Sequence, residues 1–236
     1  MAIREELKEY LSKLINRFLF IRMLDDELKM MQKWLAIRPE GDITLNIGAS
    51  FFNLVRKSFD LTVLLELCKF IDDDEDKSLR DWLTQAKMHT KALGPTRYNV
   101  NTGKRERIKV SEYQNCVGEQ LLKLNPDRDI IKNLKSRRDK AIAHTDASFF
   151  NNPKDHFEKY PLMVGDIDEI LETASTILRE QHIFVFESDA DLSTVYTVNN
   201  LNRILEFVRG FERAQKDEKL KKMGVYIIRY KWDQVK

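Results

Sequence analysis

Ser136-Arg137-Arg138-Asp139-Lys140-Ala141-Ile142-Ala143-His144-Thr145-Asp146 is the stretch on which the reading of this 236-residue chain turns. With Ile130 and Leu134 ahead of it, Arg137, Ala141 and His144 continue a series spaced 4, 3, 4 and 3. That spacing is the seam of one helix face. Arg137 and His144 are seven apart, about 700° of rotation at ~100° per residue, so a regular helix sets them almost in line. Arg138 shares the neighbouring stripe with Ile131 and Ile142. Arginine grips phosphate through a planar fork that is always charged. Histidine has the side chain suited to proton transfer near neutral pH. Together they suit phosphodiester chemistry that needs no metal. Two cations on a face that begins apolar are expensive to bury unpaired, so they should line a cleft or a partner interface. Spacing alone leaves a second reading open: a helix C-terminus whose basic residues suit its dipole, with a capping histidine.

Outward from that stretch, the pattern stays helical. Asn125-Pro126-Asp127 reads as a helix start, with an N-cap, Pro at N1 and an acid in the first turn. Residues 111–124 form a helix before it. Residues 93–110 are the main break, with Gly94-Pro95, Asn99, Asn101 and Gly103 among Arg97, Tyr98, Lys104, Arg105 and Arg107. A plain surface connection and a basic loop that touches RNA both fit this composition. Gly103-Lys104 is not a phosphate-binding loop, because Arg105 stands where Ser or Thr is required. From residue 101 to 140 there are eleven Lys/Arg against six acids. That local excess suits either a polyanion or a solvated face.

Residues 3 to about 37 read as one long helix or two stacked ones, with Leu7, Leu11, Leu14, Phe18, Ile21 and Leu28 at threes and fours. A second helix, about 46–71, is apolar almost all round and is expected in the core. The acids at 72–76 mimic the start of a calcium loop, but Lys77 replaces the required Gly and Leu83 the required Glu. They read instead as a solvated loop ahead of the next helix, which Ser78 caps and which runs to about residue 91. Residues 149–163 are a loop and 166–181 a helix. Beyond it, Ile183-Phe184-Val185-Phe186, residues 195–198 and residues 225–230 are β-prone, with a helix over about 201–222. The expected organisation is an all-α domain over 1–184 and an appendage over 185–236 packed on it, with a small β element in the C-terminal third.

Composition agrees with that class. Eight Gly and five Pro are too few for an all-β fold, and 33% charged residues suit long solvated helices. Cys68 and Cys116 have no CxxC partner, and His89, His156 and His182 have no metal-ligand spacing, so no metal is expected. There is no Ser-His-Asp order, no nucleophile elbow and no Gly-rich cofactor fingerprint, so no cofactor is expected either. The chain is charged from Arg4 onward and its longest apolar run contains Glu66. Neither a signal peptide nor a membrane span is expected, which makes the cytoplasm the default compartment.

At residues 138–146 the sequence resembles the HEPN superfamily, whose motif is an Arg followed four to six residues later by His. The form Arg138-Asp139-Lys140…Ala143-His144…Asp146 is most similar to the abortive-infection, AbiU-type branch. Residues 65–73 and 78–83 also fit that branch. The resemblance implies an antiparallel helical bundle that forms a homodimer, so that two Arg…His motifs meet in one cleft. It implies metal-independent RNA cleavage, in which the 2′-hydroxyl attacks the adjacent phosphate, in a toxin or phage-defence effector with an antitoxin or another defence protein as partner. Carried over, His144 would be the general base or acid, Arg138 would hold the phosphate, and Asp139 would orient one of them. Arg137 satisfies the same loose spacing and remains the rival arginine. Lys135, Lys140, Arg105 and Arg107 would be RNA contacts. Some relatives carry a Tyr two residues after the His; Asp146 stands there in this chain. A non-cleaving module that binds RNA or nucleotide, or a helical scaffold for a partner protein, is the alternative within the same resemblance.

Overall fold

The computed structural model describes residues 2–36, 49–72, 77–139, 158–190 and 192. Among them are seven helices and one two-stranded sheet: α1 (Ala2–Ala36), α2 (Ala49–Ile71), α3 (Leu79–Met88), α4 (Thr90–Leu93), β1 (Thr96–Asn99), β2 (Lys104–Arg107), α5 (Val110–Lys123), α6 (Asp129–Arg137) and α7 (Val164–Phe186). The chain divides into two compact units. One comprises residues 1–25 and 57–194, the other 26–56 and 195–236. In the second unit Leu28 and Met31 are buried, and burial pushes the Glu27 carboxyl above its ordinary pKa, with Asp26 adding to the effect.

The first unit carries the core. Leu7, Leu11, Leu14, Phe18 and Ile21 of α1 are buried at the helical spacing that the sequence shows. They share the core with Leu67 and Phe70 of α2, Trp82 and Leu83 of α3, Val117 of α5, Ile131 and Leu134 of α6, and Leu171, Ala174 and Leu178 of α7. Several polar groups inside this packing are satisfied across helices. Trp82 Nε1 donates to the Leu7 carbonyl at 2.8 Å, and the Tyr10 hydroxyl donates to the Ser78 carbonyl at 2.7 Å. Between α5 and α7, Tyr113 donates to Gln181, Gln181 to Gln120, and Gln120 to Glu180.

The Asp81 amide donates to Ser78 Oγ, which is the expected cap of α3. That helix stops at Met88 rather than near residue 91. A separate turn, α4, follows and closes on Gly94 in the left-handed region, at φ 62°. The 93–110 break is a β-hairpin: β1 and β2 pair antiparallel, Thr96 opposite Arg107 and Asn99 opposite Lys104. Asn99 Oδ1 accepts from the Asn101 amide and shapes the turn between them.

Three other details differ from the sequence pattern. Ile183–Phe186 is the last turn of α7, not a strand. Val185 is buried, and Phe184 meets Tyr113 edge-on at 5.8 Å, so core contacts decide a run whose local preference is ambiguous. The β-prone residues 195–198 and 225–230 lie outside the described residues. Along α2, among the side chains described, Val63, Leu67, Cys68, Phe70 and Ile71 toward the C-terminal end are buried, whereas Leu54 is 64% and Leu61 42% exposed. Asn125 forms a turn instead of capping a helix, because its Oδ1 accepts from the Asp127 amide and α6 begins at Asp129. Among the described residues no helix is long and apolar enough to cross a membrane.

Candidate functional site

Ile131 and Leu134 bury one face of α6 and fix its axis on the core. The last turn then carries Lys135 and Arg138, three residues apart and therefore on one side of the helix. That side meets the C-terminal end of α2. Asp72, whose amide donates to the Cys68 carbonyl at 2.8 Å, closes α2 there. Its side chain is fully buried, at 0% exposure. Lys135 Nζ donates to Asp72 Oδ1 and Arg138 Nη1 to Asp72 Oδ2, each at 2.6 Å. Arg138 Nε donates to Asp139 Oδ1 at 2.7 Å. One buried carboxylate thus takes two cations, and one of those cations is shared with a second carboxylate.

Electrostatics follow from that arrangement. Burial disfavours the charge on Arg138, but the hydrogen bonds it donates to Asp139 and Asp72 outweigh it and raise the guanidinium pKa further. Cys68 lies beneath, its Sγ donating to the Leu134 carbonyl at 3.5 Å. Burial pushes this thiol up to about 12, with Arg138 opposing. It is a packed, protonated cysteine, not a nucleophile.

The two neighbouring arginines part company. Arg137 Nε donates to the Tyr160 carbonyl at 2.8 Å, and burial lowers its pKa against the opposing carboxylates of Asp60 and Asp166. Asn133 Nδ2 donates to the Pro161 carbonyl beside it. Arg137 therefore holds the segment that leads into α7, while Arg138 belongs to the Asp72 cluster. Arg138 and Asp139 also fall in a π-helical turn.

Of the other sequence candidates, Arg105 donates to the carbonyls of Ile183 and Glu187 and ties the hairpin to the end of α7. Arg107 lies against Gly94. Neither shares a hydrogen bond or ion pair with Lys135, Arg137 or Arg138. His144 and Lys140 lie outside the described residues. Among the described residues no three His, Cys, Asp or Glu side chains gather as metal ligands.

Sequence reading missed Asp72, which it grouped with the solvated acids that follow. The available signal was periodic: Asp72 is four residues after the buried Cys68 and continues its stripe.

Fold and site together define the class: an all-helical domain that presents an Arg–Asp pair at the end of a core helix. The family model HEPN AbiU2 matches residues 4–204, and the chain belongs to that family of HEPN abortive-infection proteins. No curated protein and no solved structure matches the chain.

Proposed function

We propose that this chain is a metal-independent endoribonuclease of the HEPN type, acting as a homodimer in abortive infection. The observation that carries the reading is Arg138: its charge is secured by Asp72 and Asp139, it occupies the motif position, and its side chain remains 15% exposed. In this reading Arg138 holds the scissile phosphate and the charge that grows on it. His144 moves the proton of the attacking 2′-hydroxyl or of the leaving oxygen. Asp139 orients Arg138. The product is a 2′,3′-cyclic phosphate end, and no cofactor takes part. Lys135, Lys140, Arg105 and Arg107 contribute to RNA binding, and Arg137 supports the site by holding the Tyr160 segment. The partners are RNA, a second copy of the chain and an antitoxin or other defence protein, in the cytoplasm. Residues 1–184 form the HEPN domain and 185–236 its appendage.

One observation favours the alternative of a non-cleaving module. Arg138 is matched by two carboxylates, so its charge is already balanced before a phosphate arrives. Incubation of purified protein with RNA in a chelating buffer separates the two. A nuclease yields cyclic-phosphate ends that His144→Ala abolishes. A binding module yields salt-dependent affinity and no product at any concentration.

A further inference from the structure

A carboxylate at the C-terminal end of a helix faces the negative end of the dipole. Burying it adds a desolvation penalty. Asp72 accepts both, with its side chain fully buried at the end of α2. What offsets them is Lys135 and Arg138, and apolar residues in place of all three would be no less stable. Its position makes sense through what it does to Arg138.

Asp139 takes Nε and Asp72 takes Nη1. Two acceptors on different edges fix the plane of a guanidinium, where one would leave it free to swing. Nη2 has no hydrogen-bond partner among the described residues. The N–H groups of Nη2 therefore have a set direction, and they are the donors left for an anion's oxygen. Arg137, by contrast, gives its Nε to a backbone carbonyl, that of Tyr160.

We infer that Asp72 is the positioning residue of this site: from the end of α2 it aims the Nη2 edge of Arg138 at a phosphodiester oxygen of a bound RNA. The inference rests on the ribonuclease reading only for the identity of that anion. Asp72 does not touch the substrate; it acts through Arg138, and Lys135 balances its second oxygen.

The test uses the full chain with two probes, a single-stranded RNA and its 2′-O-methyl analogue, which cannot be cleaved. Asp72→Asn keeps the shape and removes the charge. It should slow cleavage about a hundredfold, the scale of a misplaced group, and weaken analogue binding to the level of Arg138→Ala. Adding Asp72→Asn to Arg138→Ala should change neither readout, and Asp72→Glu should restore part of both. If Asp72→Asn does not fold, the pair Asp72→Asn/Lys135→Met, which keeps the net charge, is compared with Lys135→Met alone. Wild-type binding and cleavage in a folded Asp72→Asn protein would overturn the inference. So would a loss that adds in full to that of Arg138→Ala. Arg138-dependent binding of the analogue without any cleavage would sink the ribonuclease reading alone, and binding would then decide the role of Asp72. No Arg138-dependent binding in the wild type overturns both.

Discussion

Arg138 reaches across from α6 to Asp72 at the end of α2, Nη1 to Oδ2 at 2.6 Å, although the two residues are 66 positions apart in sequence. This contact joins the helix that carries the motif to the end of α2. It also converts a liability into a fixed point. Left unpaired, the fully buried carboxylate would carry a desolvation penalty on the order of several kcal/mol, with nothing to offset it.

Stability should register that dependence asymmetrically. Asp72→Ala removes the buried carboxylate that Lys135 and Arg138 share and leaves a cavity in its place, which should cost about 3–5 kcal/mol. Replacing all three, Asp72→Leu with Lys135→Leu and Arg138→Met, should be close to neutral or stabilising, because apolar packing substitutes for the ion cluster. Denaturant unfolding of the two proteins measures the difference. Equal losses in both would show that packing at this site, rather than charge pairing, is what matters.

Arg137 and Arg138 should separate cleanly in kinetics and stability. Removing Arg138 is expected to slow RNA cleavage by about 10²–10³, the scale of a lost transition-state donor, as read from initial rates. Arg137→Ala strips the Tyr160 carbonyl of its donor and should cost about 1–3 kcal/mol of stability. Its cleavage rate should remain within about tenfold of wild type. The reverse pattern would exchange the roles of the two arginines.

Why one arginine belongs to the cluster and its neighbour does not was not readable from the sequence. Periodicity reports which residues share a face, and for Leu7 through Ile21 of α1 that suffices, since a repeated seam fixes the buried side. Capping at Ser78 was legible for the same local reason. Asp72 was not: its partners Lys135 and Arg138 lie 63 and 66 residues away, and an acid heading a run of acids looks solvated. The hairpin was hidden because Lys104-Arg105-Glu106-Arg107 has no apolar alternation to mark a strand. Ile183–Phe186 misled in the opposite sense, since a short apolar run suits strand and helix equally until Val185 finds the core.

Gly94 offers a test of the turn that leads into the hairpin. Its φ of +62° lies where a side chain is strained, and a Cβ would come within 2.7 Å of Arg107 Nη2. Gly94→Ala should therefore cost about 1–2 kcal/mol in thermal unfolding. Arg107 is a long side chain that can move, so the backbone strain is the larger part. Repeating the substitution in an Arg107→Ala background should recover only a small share of the loss.

Cys68 gives the fold a pH dependence of known sign. Its native pKa is raised by burial from 9.0 to about 12. The unfolded chain thus releases this proton while the native state still holds it. The contribution to stability is complete below about pH 9 and is lost as pH rises toward 12. Tyr113, whose hydroxyl is also raised by burial, pushes in the same direction. Melting temperatures from pH 8 to 11 should fall with pH. Cys68→Ala should lower the whole curve through its cavity yet flatten the slope above pH 9. An unchanged slope would mean that the thiol is ionised at the same pH in both states, and that the Asp72–Arg138 cluster leaves it far less shielded than its packing indicates.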